Sequence, residues 1–340
     1  MTDCRSRGWL VAPISAMVIT LSAYGQQSDA ERLIEAGHWK KARAIVETRI
    51  ARNPNDALAN FLLSQIRNAF GDYSSPSALA EKAIALDGRV ARYHRQLAEV
   101  LGVEAQHAGA LKLVFLAHQF RSEIDTAISL DPHDIQAQRD LLEYYLVAPG
   151  IAGGDVQRAA AVAQHIGELD AAEGLLARAR VASCQKRAAE TESLLRRAAQ
   201  IVPPSYRAHL ELAKFYLDTE HFNPAGAESA AKELLRLDRS RVEPYAILAQ
   251  IYAERDDRSA LDALLDDAAE QNPDDLAPYY RAAEALLAWG HEPARAEKYL
   301  RMYVEHEPEG NEPTVADAKK KLALAGQAQG RRPGVMAASN

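Results

Sequence analysis

The segment Tyr245-x-x-Leu248-Ala249-x-x-Tyr252, followed by Pro273, decides the fold of this chain. Steps of three and four residues place its four named side chains on one face of an α-helix. The small Ala249 would let a second helix approach closely, while the larger residues would fill the space toward neighbouring helices. Pro273 lacks an amide hydrogen and disfavours helix at the residue before it, so it ends the partner helix.

Related segments lie elsewhere in the chain. They repeat the spacing of Tyr245, Leu248, Ala249 and Tyr252, with apolar or small residues at the two middle positions. These segments begin at His94, Gln138, His209 and Tyr279. A ladder of equivalent segments indicates internal repetition.

Turn-forming phrases divide the chain at regular intervals. Their closing residues fall at positions 54, 88, 132, 171, 204, 239, 273 and 308, and five of the seven intervals lie within one residue of 34. Ala and Leu dominate the composition, whereas β-branched and aromatic residues are sparse, which favours helices over sheets. The sequence therefore predicts an all-α chain of about eight helix pairs.

This pattern resembles the tetratricopeptide repeat family, whose motif is large-x-x-Leu-Gly-x-x-Tyr, then a small residue and a closing Pro. In the first and eighth units the matching residues are Gly37, His38, Trp39, Ala42, Pro54, Trp289, Gly290 and Pro308. The resemblance covers roughly residues 28–312. It implies a right-handed α–α superhelix, or solenoid, whose first helices line a concave groove.

Two insertions interrupt the regular period. The third unit is longer by ten residues in the region 102–116, and the fourth carries residues 148–155 between its helices. In the latter, Pro149 ends the first helix, Gly153 and Gly154 permit unusual backbone angles, and Asp155 can cap the second helix. The two insertions suggest an exported bacterial subgroup of the family.

The two ends of the chain differ from the repeats. Arg5 and Arg7 precede an apolar run over residues 9–21, which predicts a signal peptide, residues 1–25, cut near Gly25. The expected location is periplasmic or secreted, and an uncleaved membrane anchor is the alternative. The solenoid should occupy residues 26–325, including a capping helix over 314–325, and residues 326–340 should form a disordered tail.

Composition and motifs argue against several functions. The formal net charge of −7 disfavours a general nucleic-acid binder, which needs a basic face. The sequence contains no phosphate-binding Gly-rich loop, His-Glu-x-x-His pair or nucleophile elbow. We therefore predict no catalytic residue, no cofactor and no metal. Cys184 is interpreted as a small residue buried between helices, with a reactive thiolate as the alternative.

The resemblance places partner-binding residues on the concave groove. They are Phe61, Gln65, Arg92, Arg95, Glu99, Arg139, Glu143, Lys214, Gln250, Tyr280 and Arg281. Such a mixed wall suits an extended peptide or protein segment with some acidic character. The chain is therefore interpreted as a non-enzymatic scaffold. Two alternatives are a structural subunit of an envelope assembly, using its convex face and insertions, and an accessory domain of an enzyme, using the loop over 149–154.

An acidic stretch over residues 256–275 has two interpretations. Its carboxylates form either a solvated outer face or a docking surface for a basic partner.

Overall fold

The computed structural model describes residues 28–72, 76–310 and 313–330. The predicted signal peptide, with its cut near Gly25, lies outside these residues, as does the predicted tail beyond Gly330. Within the described ranges, no helix combines the length and apolarity that a bilayer span requires.

The described chain is a series of helical hairpins, as the sequence predicts. Each first helix packs on the second helix of its own pair, and successive pairs stack side by side. The helices are α1 (Asp29–Glu35), α2 (Trp39–Arg52), α3 (Ala57–Ala69), α4 (Pro76–Leu86), α5 (Ala91–Gln106), α6 (Ala110–Leu130), α7 (Ile135–Val147), α8 (Val156–Leu169), α9 (Ala171–Cys184), α10 (Ala188–Ala199), α11 (Tyr206–Leu217), α12 (Pro224–Leu237), α13 (Glu243–Glu254), α14 (Arg258–Gln271), α15 (Ala277–Trp289), α16 (Pro293–Glu305) and α17 (Val315–Gly330). The all-α prediction of eight pairs and one added helix is confirmed for the described residues.

The second helices end where the closing phrases predict. Most stop two or three residues before the closing position, and α10 stops earlier, at Ala199, ahead of Pro203 and Pro204. Aspartates in these turns then begin the next helix. Asp56, Asp134 and Asp170 each accept a hydrogen bond from a backbone amide in the first turn of the helix that follows. Local sequence therefore sets both the end of one pair and the start of the next.

Small residues at the helix crossings allow the pairs to stack closely. Ala213, Ala249 and Ala283, which occupy the predicted small position, are fully buried. Tyr245 is fully buried as well and fills the space between neighbouring pairs. The resulting apolar core is continuous from α9 to α17, so each hairpin covers the apolar face of the next.

The third-unit insertion lengthens both helices of its pair. The hairpin of α5 and α6 extends to Gln106 and Ala110, and α6 has 21 residues. Gly102 permits the close approach, because a Cβ there would lie 3.3 Å from the ring of Phe120. The extra residues therefore form helix and not a free loop.

The fourth-unit insertion folds against its own pair. After α7 ends, residues Gly150–Ala152 form a single turn of 3-10 helix. Gly153 has φ +96°, and a Cβ on Gly154 would lie 1.8 Å from the carbonyl oxygen of Ala148. Asp155 caps α8, as predicted, by accepting hydrogen bonds from two backbone amides. The glycines are required because the chain reverses within a very short distance.

The last helix closes the apolar core. Thr314 caps α17 together with Asp317, and Tyr303 Oη donates a hydrogen bond to the Pro313 carbonyl oxygen at 2.5 Å. The helix extends to Gly330, so it is longer than the predicted capping helix over 314–325.

The first and last units of the solenoid touch each other. Lys40, at the start of α2, contacts Glu307 and Glu309, which follow α16. Gly310 lies against the end of α3, because a Cβ there would be 3.1 Å from the Ala69 carbonyl oxygen. The ribbon of helix pairs therefore curves until its two ends meet.

Candidate functional site on the concave face

The first helices of successive pairs lie side by side and form the concave wall. Polar side chains bridge them along much of its length. The bridges are Glu31 with Arg92, Asn68 with Glu99, Tyr206 with Glu243, and Glu284 with Lys321. The residues that the sequence assigned to the groove lie on these helices.

A cavity of about 440 Å³ opens in this wall between α7, α9 and α11. Three predicted groove residues line it: Arg139, Glu143 and Lys214. The other lining residues are Gln136, Asp140, Leu142, Leu176, Ala177, Ala179, Arg180, Ser183, Thr191, Leu195, Arg207, Glu211, Phe215, Asp218 and His221. The cavity thus combines an apolar floor with charged groups from three successive units.

Glu173 on α9 contacts the first helices on both sides of it, α7 and α11. Its carboxylate accepts a hydrogen bond from Arg207 on α11 and lies 3.7 Å from Nη1 of Arg139 on α7. Burial lowers the pKa of Arg139, and the nearby charge of Arg207 lowers it further. Two guanidinium groups therefore share the Glu173 carboxylate, and Asp140 is a further acidic neighbour of Arg139.

A second bridge crosses the cavity from α9 to α7. Arg180 donates two hydrogen bonds to the Glu143 carboxylate, at 2.8 and 2.9 Å. The bidentate geometry fixes both planar groups. Of these residues, Glu143 belongs to the predicted groove set, whereas Arg180, Arg207 and Glu173 do not.

Two carboxyl groups of raised pKa lie at this part of the wall: Asp140 of α7 lines the cavity, and Glu99 of α5 lies near Asp140. Burial raises the pKa of Asp140 to about 6, although the charge of Arg95 opposes the shift. Gln136 Nε2 donates a hydrogen bond to Asp140 Oδ1 at 3.2 Å. The side chain of Glu99 is partly open to solvent, but the protein packed around it disfavours the charged form and raises the pKa of its carboxyl. These two carboxyls and Arg95 lie close enough to influence one another's charge.

The predicted aromatic residues of the groove are buried. Phe61 packs against Tyr93, with ring centroids 5.1 Å apart, and the guanidinium of Arg92 lies over the Phe61 ring. Tyr280 packs against Tyr303 at 5.2 Å. A partner would meet Arg92 before it met Phe61, so the aromatic rings stabilise the wall from within.

The remaining predicted residues are spread along the groove. Lys214, Gln250 and Arg281 contact carboxylates on their own helices, whereas Gln65 is partly buried on α3. Of this group, Lys214 lines the cavity. The structure therefore divides the predicted set into residues at the cavity and residues along the flanks.

Two groups with potential chemistry lie on the surface. Asp218, Glu220 and His221 form a cluster of possible cation ligands, in which Asp218 and His221 also line the cavity and His221 is partly buried. Asp218 already accepts hydrogen bonds from the Glu220 amide and from His221. Cys184 is exposed, so the interpretation of a buried residue is wrong. It is the last residue of α9, where the side chain no longer faces the neighbouring pair.

The inserted loop of the fourth unit packs on α7. Tyr144 Oη donates a hydrogen bond to the Ala152 carbonyl oxygen, and Ala152 is fully buried. Burial raises the pKa of Tyr144. These contacts give the loop a structural role.

Comparison with known proteins identifies the fold. The chain is similar to Tom70 of yeast, with a TM-score of 0.57 and 14% sequence identity over 91% of this chain and 66% of the yeast chain. It is also similar to a tetratricopeptide repeat protein of Thermus thermophilus, with a TM-score of 0.49 and 17% identity over 56% of this chain and 96% of that chain.

The chain has a tetratricopeptide-type fold. No protein-family model matches the sequence, and no curated protein matches it. The similarity to solved structures therefore concerns the arrangement of helices.

Proposed function

We propose that this chain is a scaffold that binds an extended peptide or protein segment on its concave face, at the cavity between α7, α9 and α11. The observation that carries the proposal is the cavity itself, where α7, α9 and α11 each contribute charged side chains around Leu142 and Leu176. An extended chain presents alternating backbone polar groups and side chains. It can therefore use both the charged groups and the apolar floor.

The bridges across the cavity support this proposal. Arg180 is held by Glu143, and Arg207 is held by Glu173, so these guanidinium groups occupy fixed positions before a ligand arrives. A preorganised group loses less conformational entropy on binding than a free side chain. Each guanidinium retains further N–H donors, which can bind a backbone carbonyl or a carboxylate of the ligand.

Selection from a phage-displayed library of random linear peptides tests this function. We expect the full chain to enrich peptides that bind to it, and we expect Arg180→Ala to lower their affinity. Arg255→Ala is the matched control, because Arg255 also joins two helices through a carboxylate, Glu228, but does not line the cavity. Failure to enrich any peptide, or equal losses in both variants, would contradict the proposal.

We also propose that the scaffold works outside the cytoplasm, as a periplasmic or secreted protein. The support is the signal-like sequence over residues 1–25. N-terminal sequencing of the protein from fractionated cells tests this location. A mature chain that begins after Gly25 in an exported fraction is expected, and an intact N-terminus in the cytoplasm would contradict it.

A second candidate function, a structural subunit of an envelope assembly, is favoured by exposed apolar residues at the two insertions. Leu111 and Phe115 on α6 are 92% and 61% exposed, and Ile151 in the adjacent inserted loop is 83% exposed. α6 contacts this loop. Size-exclusion chromatography of envelope extract distinguishes the two functions, because a stable large complex lost on Leu111→Ser with Phe115→Ser supports the subunit.

A further inference from the structure

The contact between the ends of the solenoid centres on Lys40. Its Nζ donates hydrogen bonds to the carbonyl oxygens of Asp274 and Glu307, at 2.8 and 2.7 Å. Its backbone amide donates to Oε2 of Glu309, at 2.8 Å. One residue of the first unit therefore binds three residues of the seventh and eighth units, more than 230 positions away.

Two further ion pairs flank Lys40. Nζ of Lys41 lies 2.7 Å from Oδ2 of Asp274, and Nη2 of Arg43 lies 2.8 Å from Oε1 of Glu307. We name Lys40, Lys41 and Arg43, together with Asp274, Glu307 and Glu309, the terminal clasp. Asp274 belongs to the acidic stretch over residues 256–275. One end of that stretch therefore pairs with the basic residues at the start of α2 in the same chain.

The position of the clasp shows how the ribbon closes. Lys40 and Lys41 lie in the first turn of α2, next to the connection within the first pair, whereas Asp274 and Glu307 lie in connections that follow the second helices of their pairs. In a stack of hairpins these two kinds of turn lie on opposite edges of the ribbon. An edge at one end of the ribbon therefore meets the opposite edge at the other end. Because each pair also contacts the next, the eight pairs form a closed circuit, whose interior we call the concave channel.

Charged groups that lose water make the clasp costly to form. Glu309 is 8% exposed, and its burial raises the pKa of the carboxyl. Its Oε1 accepts no hydrogen bond from any described residue and is compensated only by Nζ of Lys40, 4.0 Å away. Burial likewise raises the pKa of the adjacent Asp275 to about 6. Ion pairs offset such desolvation costs incompletely. The exposed pairs of Lys41 and Arg43 also weaken as salt increases.

We propose that the terminal clasp is a gate that controls access to the concave channel. When the clasp is closed, the channel admits an extended chain that has a free end and can thread through it. When the clasp opens, a folded partner or a chain without free ends can reach the wall from the side. This inference rests on the proposed peptide-binding function for the identity of the ligand, but the opening of the clasp can be measured without any ligand.

Distances between the two ends test the gate directly. Spin labels on Glu47→Cys in α2 and Lys298→Cys in α16, in the full chain with Cys4 and Cys184 replaced by Ser, report this distance by pulsed electron resonance. Both labelled residues are exposed. At low salt we expect one narrow, short distance, and at about 1 M salt, where the Debye length is roughly 3 Å, a shift to longer and broader distances.

Charge-reversal variants distinguish opening of the clasp from other effects of salt on the protein. Lys41→Asp with Arg43→Glu should open the clasp at low salt, and the added exchange of Asp274→Lys with Glu307→Arg should restore the short distance. Arg236→Glu is the control, because Arg236 pairs with Glu233 on its own helix. Restoration in the fourfold variant also shows that the chain folds.

Peptides enriched by the full chain provide the test of access. The linear form should bind the closed protein, whereas its head-to-tail cyclised form should bind only after charge reversal opens the clasp. If the short distance between the spin labels persists in the Lys41→Asp, Arg43→Glu variant, the proposal that the clasp is a gate is wrong, regardless of the result with peptides. If no peptide is enriched while the distances between the spin labels respond as expected, the proposed peptide-binding function is wrong, but the opening and closing of the clasp is confirmed.

Discussion

Glu173 on α9 accepts a hydrogen bond from Arg207 on α11, a residue 34 positions further along the chain. One repeat period therefore separates an acid from a base that meet on neighbouring helices. The same carboxylate also lies near Arg139, which precedes it by the same number of residues. This relationship fixes the concave wall across three units and leads to the first prediction.

Glu173→Ala should destabilise the protein by about 1–3 kcal/mol, because Arg139 and Arg207 then share no carboxylate. Glu173 is mostly buried, with a side chain 17% exposed. Urea unfolding measured by circular dichroism gives the change in the free energy of unfolding. Glu168→Ala is the control, since Glu168 is exposed and pairs with His165 on its own helix. Equal stability of the two variants would contradict the role assigned to Glu173.

Arg180→Ala should affect binding more than stability. The side chains of Arg180 and Glu143 are each more than 40% exposed, and exposed ion pairs contribute up to about 1 kcal/mol. We therefore expect a nearly unchanged unfolding midpoint together with weaker binding of the enriched peptides. Unfolding curves and peptide titrations on the same preparation check both parts, and a large loss of stability would refute the assignment.

Gly154→Ala should destabilise the fourth unit. A Cβ at this position would lie 1.8 Å from the carbonyl oxygen of Ala148, which cannot move without displacing α7. We expect a loss of about 1–3 kcal/mol, the usual cost of a strained backbone position. Gly150→Ala is the matched control in the same loop, because a Cβ there meets no atom within 4 Å. Thermal unfolding of the two variants should separate them, and similar midpoints would show that the loop adapts freely.

Asp140→Asn should change how stability depends on pH. The pKa of Asp140 is raised to about 6 in the folded protein by burial, so the folded state binds this proton more tightly than the unfolded state. The stability of the wild type should then fall as pH rises from about 4 to about 6, where Asp140 ionises in the folded state. The amide cannot ionise, so the variant should gain stability relative to the wild type across this window.

Denaturant unfolding across the same pH range measures this difference. The wild type has to be compared with the Asp140→Asn variant, because Asp275 has a similarly raised pKa and also makes the stability depend on pH. If the difference between the two proteins is constant between about pH 4 and pH 6, Asp140 does not titrate as described.

The sequence predicts the helix pairs well because their signals are local. Pro273 stops α14, Ala249 permits close packing, and Asp155 caps α8, and each effect depends on a few neighbouring residues. Reasoning from local sequence did not predict all of the residues that line the cavity. Opposite charges at matching repeat positions, such as Glu173 and Arg207, were a signal that a comparison across units could have found.

Other features depend on geometry that accumulates over the whole chain. The contact of Lys40 with Glu309 requires the combined curvature of eight pairs, and small rotations between pairs would separate these residues. Burial of Phe61 beneath Arg92 likewise depends on how closely α3 and α5 approach each other. Neither distance follows from the spacing of residues within a single unit.

Hydrogen–deuterium exchange of the full chain, with and without the enriched linear peptides, tests the central claim most directly. Bound peptide should slow exchange in α7, α9 and α11, around Arg180 and Glu143, and should leave exchange at α6 and the inserted loop of the fourth unit unchanged. Protection confined to α6 and that loop, or no protection in any helix at saturating peptide, would contradict binding at the concave cavity.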